Sequence, residues 1–394
     1  MKALFATVLL LSIMLVLLPP LGHSSPIPSS CTVSICTVTV QRTVSTNLWG
    51  VTTITDSIAL NSSLPVSGFS YGVPENMSVG LKYSAAAAGN ISLQVSRQGA
   101  TTIQPGYANS GQEYVPMIVS FPQNETGMYS FNLTSIYSGL LTYNPSASSF
   151  QLHVSPFFMS DHTYKVKSSS STINTSDWPS PEIQPLNKTV TGGAYTVEAS
   201  LPYADFNTTL WRVSFSNSGT KQNLFQVSAG RTIQISSSGT VITTDSYNIT
   251  NLGPVQASID FTVPKSVSKI SESYILGLEI DQPSTTPTPV ANPDGTSKVT
   301  FTPSFGSLSY NQSVKVEISY TLSPATYVSS GSLGTFTLNF ALFNNVQFCS
   351  PTLTTKIITP TGFRLNSLTG QVAQTTGSQI LVQVSPVTPV SNLG

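Results

Sequence analysis

Two segments of this chain are written in one register. "QRTVSTNLWGVTTITDS" runs from Gln41 to Ser57, and "GRTIQISSSGTVITTDS" runs from Gly230 to Ser246. Arg42, Thr43, Gly50, Thr55, Asp56 and Ser57 correspond to Arg231, Thr232, Gly239, Thr244, Asp245 and Ser246. Matched Ser and Thr carry little weight in a chain rich in both. Matched Arg and Asp carry more, because charged residues make up only 8% of the sequence. With one residue inserted, Val73-Pro74 also meets Val263-Pro264, so the repeat runs beyond these segments. The fold has to accommodate one unit twice.

The spacing implies a local shape. Gly50 and Gly239 suit the left-handed last position of a three-residue hairpin loop, which glycine tolerates best. That register sets Arg42 across from Asp56 and Arg231 across from Asp245, giving each hairpin a cross-strand ion pair. On an exposed hairpin such a pair contributes only ~0 to 1 kcal/mol. The expected role of these six residues is structural.

Elsewhere the dominant period is two. In "SVKVEISYTL", Val314, Val316, Ile318, Tyr320 and Leu322 alternate with polar residues, which puts the apolar side chains on one sheet face. "TFTLNFAL" repeats this through Phe336, Leu338, Phe340 and Leu342, and "MYSFNL" through Tyr129, Phe131 and Leu133. Gly, Pro, Asn and Ser separate the runs, and no segment past the N-terminal leader carries a 3.6-residue period. The expected fold is all-β, with tandem antiparallel β-sandwich units in two related halves. Lys167 to Gly193 is polar and rich in Pro and Gly, and reads as a linker. The expected division is a signal peptide over 1–25, a first half over 26–166, the linker over 167–193 and a second half over 194–394. Asp281 to Gly295 is a second loop.

The leader sets the compartment. Lys2 precedes an apolar run from Ala3 to Leu18, then Pro19-Pro20 and the small residues Ser24 and Ser25, the pattern of a secretory signal. No later stretch approaches the ~20 apolar residues that span a bilayer. The chain is expected outside the cell, secreted or on the extracellular face of the membrane, with no span of its own beyond the signal. Ten Asn-x-Ser/Thr sequons then become candidate glycosylation sites: Asn61, Asn76, Asn90, Asn124, Asn132, Asn174, Asn187, Asn207, Asn248 and Asn311. Sixteen basic residues balance sixteen acidic ones, so nothing steers toward nucleic acid. Three cysteines, Cys31, Cys36 and Cys349, leave burial as the main source of stability, with a small Cys31–Cys36 loop permitted by the spacing.

The sequence offers little catalytic chemistry. His153 and His162 are the only histidines past the leader, without a Cys or carboxylate cluster at ligand spacing. There is no phosphate-binding Gly-rich loop and no Gly-x-Ser-x-Gly elbow. Asp56 and Asp245 are the one duplicated carboxylate pair, and an acid protease would need them to meet and share a proton. Each sits in "TDS", without the glycine of an aspartic-protease Asp-Ser/Thr-Gly. No catalytic, cofactor-binding or metal-binding residue is assigned, and no cofactor is expected.

The segments "RTVSTNLWGVTTITDSIAL" and "RTIQISSSGTVITTDSYNITNLGP" resemble ribophorin I, an accessory subunit of the oligosaccharyltransferase with paired lumenal β-units. The likeness continues through Ser135 to Lys167, Tyr320 to Phe348 and "LTTKIITPTG" (Leu353 to Gly362), covering residues 38 to 365 mostly as spacing and alternation. Thr361 departs from it, standing where the family tends to be acidic. The family also continues into a membrane helix and cytosolic tail, whereas this sequence stops at Gly394. The resemblance implies a non-catalytic accessory role in N-glycosylation, with protein partners that include a membrane-embedded glycosyltransferase subunit. The competing expectation is a structural cell-surface glycoprotein, a surface-layer or filament subunit, with "CTVSICTVTV" as a strand for exchange between copies.

Overall fold

A computed structural model describes residues 35–389, less residues 199–207 and 364–372 and scattered stretches of one to four residues. The signal segment, Cys31, His162, Asn187 and Asn207 lie outside the described residues. The chain is almost wholly β, in several separate sheets. Its first unit opens with β1 (Cys36–Thr46), β2 (Thr52–Pro74), β3 (Leu81–Ala88), β4 (Ile91–Arg97) and β5 (Thr101–Thr102). It continues with β6 (Glu113–Tyr137), β7 (Leu141–Asn144), β8 (Ser149–Val154), β9 (Lys165–Asn174), β10 (Glu182–Gln184), β11 (Thr189–Thr191), β12 (Ala194–Glu198) and β13 (Trp211–Ser216). The second unit starts at β14 (Phe225–Ile235), β15 (Val241–Asn251), β16 (Ile259–Pro264), β17 (Ser268–Leu276) and β18 (Glu279–Asp281). There follow β19 (Val290–Ala291), β20 (Thr296–Phe301), β21 (Ser313–Leu322), β22 (Val328–Ser330), β23 (Phe336–Leu338), β24 (Leu353–Ile358), β25 (Ala373–Thr376) and β26 (Gln379–Val384).

The duplication extends to topology. The main sheet of the first unit runs β11-β12-β9-β1-β2-β6-β3-β4, and that of the second runs β25-β26-β24-β14-β15-β21-β17-β18. Strand for strand these are one order, including the parallel pairings β1–β9 and β14–β24. The units diverge where the long strands bend. In the first, β2 and β6 stay continuous through register shifts between Ser62 and Gly68, so Val73 and Pro74 pair with Val115 and Tyr114 in the same sheet. In the second, Gly253-Pro254 interrupts the equivalent strand. The distal part becomes a separate sheet, β16-β20-β19, in which Val263 and Pro264 pair with Ser297 and Thr296.

Alternation gives each main sheet one apolar face. Val38, Val40, Val44, Ile54, Ile58 and Leu60 are buried in the first core, and Val314, Val316, Ile318, Tyr320 and Leu322 in the second. Phe336 does not follow this pattern. Its hairpin β22–β23 stands apart from the main sheet and leaves its ring exposed.

The division between units differs from the sequence-based one. Apolar burial separates into one cluster ending at Leu224 and another beginning at Phe225. The 167–193 segment is no linker. It holds most of β9, which lies parallel beside β1, and β10, which pairs with β13. β9 escaped notice because Ser169 and Ser171 take inward positions that are normally apolar. Ser171 sits in register with Arg42, whose large side chain occupies the neighbouring interior space. β12 and β13 likewise belong to the first unit.

Candidate functional site

The repeated residues build a buried charge pair in each unit. Arg42 faces Asp56 across β1–β2, and Arg231 faces Asp245 across β14–β15. The loops are three residues long: Asn47 N–H donates to Val51 O at 2.9 Å, and Ser236 N–H to Thr240 O at 2.9 Å. Gly50 and Gly239 take φ of 80° and 82° at the last loop position. The expectation of exposed pairs is corrected. Arg42 and Asp56 are 9% and 2% exposed, Arg231 and Asp245 4% and 0%, because the pairs point to the core face of each sheet.

Both pairs are bidentate. Arg42 Nε and Nη2 donate to Asp56 Oδ1 and Oδ2 at 2.7 and 2.9 Å, and Nη1 donates to the carbonyls of Ser155 and Phe157 at 3.0 and 2.7 Å. Arg231 Nε and Nη2 donate to Asp245 Oδ1 and Oδ2 at 2.5 and 2.8 Å. A tyrosine closes the second network: Tyr320 Oη accepts from Arg231 Nη2 at 2.8 Å and donates to Asp245 Oδ2 at 2.9 Å. Burial works against the charge on Arg231, but Asp245 and Tyr320 outweigh it and hold the guanidinium above its ordinary value. Burial, reinforced by the Asp245 charge, pushes Tyr247 and Tyr320 well above the usual phenol range. In the first unit burial pushes Tyr137 up to about 12. Every member of these networks is engaged in holding its own sheet. Asp56 and Asp245 each stay with their own arginine in separate units, rather than forming the shared-proton dyad an acid protease requires.

The hairpin tip of the first unit reaches the second. Trp49 packs edge-on against Phe225 and Phe261, with centroids 5.2 and 6.4 Å away, and lies tilted 5.6 Å from Phe348. Asn47 Nδ2 donates across to Gln347 O at 2.7 Å, while bonds from Gln222 Nε2 to Asn47 O at 2.8 Å and from Asn223 N–H to Leu48 O at 3.0 Å brace the tip from within the first unit. A cleft of about 960 Å³ opens beside this junction. Its first-unit wall includes Asn47, Asn174 and Lys221, and its second-unit wall Asp260, Asn292 and Lys298. The volume lies within the range of ligand-binding pockets, ~300 to 1,000 Å³. Nothing in the sequence marked the cleft, since its walls come from segments far apart in the chain.

The other candidates are dispersed. Asn61, Asn76, Asn90, Asn124, Asn132, Asn174, Asn248 and Asn311 are all exposed. His153 is exposed on β8. Cys36 is in a disulfide, and Cys349 is a free thiol that burial pushes up to about 12. Among the described residues, no group of three or more His, Cys, Asp or Glu is placed to hold a metal ion, and no helix is long and apolar enough to cross a membrane.

No family model matches the chain, and no curated protein matches it. Among solved structures, a "putative protease" from Parabacteroides distasonis ATCC 8503 aligns over 91% of this chain and 95% of its own. The identity is 9% and the TM-score 0.23, a likeness too slight to bear on fold or chemistry.

Proposed function

We propose that this protein is a non-catalytic, exported accessory subunit of an N-glycosylation complex, which positions an acceptor or partner protein. The observation that carries the reading is the pair of like β-units held together beside a preformed cleft. Their duplicated charged residues are committed to the cores. Such a molecule acts by binding and presentation, which agrees with the resemblance of the repeat to ribophorin I. Its effect would fall on the efficiency of glycosylation at some sequons rather than on amide chemistry. In a deletion strain, site-by-site glycopeptide mass spectrometry should show intact glycans and lowered occupancy on a subset of exported proteins. Normal occupancy at every site would refute the proposal.

A second reading, a structural cell-surface glycoprotein, draws on the exposure of all eight described sequon asparagines. It predicts a damaged envelope by electron microscopy with occupancy elsewhere unchanged. Of its exchange strand, Cys31 to Ser34 lie outside the described residues and Cys36 to Val40 lie within β1. That stretch already pairs with β2 on one side, and with β9 on the other from Thr37 onward.

A further inference from the structure

We propose that Asn174 carries a glycan that folds back into the cleft between the units and bridges its two walls. Asn174 opens the sequon Asn174-Thr175-Ser176 and is exposed at the end of β9. Among the described sequon asparagines, it alone lines the cleft. Its base is firmly held. Ile173 pairs with Val44 and with Tyr195, Asn174 itself pairs with Ala194, and Trp178 N–H donates to Thr175 O at 3.0 Å. Trp178 in turn stacks on Phe215 with centroids 4.1 Å apart.

The facing wall has the chemistry that sugars require. A pyranose ring presents hydroxyls that both donate and accept around its edge, and C–H groups on its faces. Asn292 and Gln347 supply amides that both donate and accept, Asp260 an acceptor and Lys298 a donor, while Trp49 of the first unit's hairpin adds an aromatic lining beside them. Asp260 is held in place by Lys298 Nζ at 3.2 Å and Thr300 Oγ1 at 2.6 Å. A carboxylate has about four lone-pair sites and an ammonium three donors, so this exposed pair can meet a sugar hydroxyl beside its existing bonds, as can Asn292, whose Nδ2 donates to Thr296 Oγ1 at 2.9 Å. The covalent step is an ordinary glycosyl transfer. Asn174 Nδ2 bonds to the anomeric carbon of a lipid-linked glycosyl diphosphate, the diphosphate leaves, and the amide loses one proton.

Tethering decides the source of the ligand. A glycan attached at the cleft wall has an effective concentration of order millimolar, so weak contacts suffice to hold it, whereas a free glycan would need intrinsic affinity. The inference requires export and glycosylation but not membership of a glycosylation complex, so either idea can fail alone.

The test uses the full chain secreted from a eukaryotic host that glycosylates Asn-x-Ser/Thr. The folded protein is treated with a glycan-releasing amidase, and release is followed at each site by mass spectrometry. Release at Asn174 should be at least tenfold slower than at Asn132 and Asn248. The double variant Asp260→Ala/Asn292→Ala should remove that protection while the deglycosylated variant keeps the parent's Tm. An unoccupied Asn174, equal release rates, or protection that survives the double variant would overturn the inference. So would micromolar binding of the free, released glycan by deglycosylated protein, since that would mark a site for glycans from elsewhere.

Discussion

At the residue scale, the two ion pairs behave as structural charges should in a core. Each guanidinium meets a carboxylate on two bonds and spends remaining donors on carbonyls or a phenol, so little polar capacity is left over. Breaking a buried pair by removing one partner typically costs ~3 to 5 kcal/mol, because the survivor is left charged in the interior. Asp245→Ala and Arg231→Ala should each lose that much in denaturant unfolding. Tyr320→Phe should lose about 1.5 to 3 kcal/mol, the range for hydrogen bonds to charged groups. Losses under 1 kcal/mol for the charge deletions would show that the pairs are solvated after all. A different imbalance sits at Glu272, which is 7% exposed and whose Oε2 has no hydrogen-bond partner. Burial raises its pKa from the ordinary 4.5. A raised folded value means stability that is full below the ordinary pKa and lost as pH rises through the folded one. Glu272→Gln should therefore stabilise the protein at pH 7 and gain little at pH 3, as measured by Tm at both. The buried tyrosines act in the same sense at the alkaline end. With Tyr137 near 12 against an ordinary 10, stability should fall as pH rises between those values.

At the scale of elements, the two hairpins share a backbone and differ in their surroundings, which makes them a controlled comparison. Gly50 and Gly239 hold the same positive φ. A Cβ on Gly239 meets nothing within 4 Å, whereas one on Gly50 would stand 2.4 Å from Leu224 Cδ1. Gly239→Val should cost ~1 to 3 kcal/mol from backbone strain alone. Gly50→Val should cost clearly more and disturb the junction, and equal losses in thermal unfolding would disprove the steric part. The hairpins were legible in the sequence because Arg, Gly and Asp recur there in a chain with few charges. The core face of β21 was legible for another reason: nothing polar intrudes on its alternation. β9 was illegible because its interior partner is an arginine, so serine rather than valine fills the inward positions. A period of two in hydrophobicity presupposes an apolar interior, and this chain keeps a polar one at two places. The burial of the pairs was missed on the same ground, since Arg and Asp read as surface residues until the sheet shows which face they occupy.

At the scale of the whole molecule, Trp49 carries an aromatic side chain of the first unit into the core of the second. Its ring sits among Phe225, Phe261 and Phe348 of the second core. Trp49→Ala should cost up to ~3 to 5 kcal/mol. The more telling expectation is that calorimetry of the variant resolves two unfolding transitions in place of one. A single transition of unchanged width would show that other contacts couple the units. The cleft beside Trp49 could not be read from the sequence, because it exists only once the first hairpin has met the second core. That junction also has a symmetry. The tip of one unit enters the body of the next, and among the described residues the second unit's tip makes no matching entry into the first core, so no two-fold axis relates the partners. Contacts of this heterologous kind propagate when every copy carries both surfaces. Here the corresponding tip of the second unit is Ser237-Ser238-Gly239, with serine where the first unit has Leu48 and Trp49. The second unit therefore lacks, at its own tip, the aromatic side chain by which the first enters its neighbour.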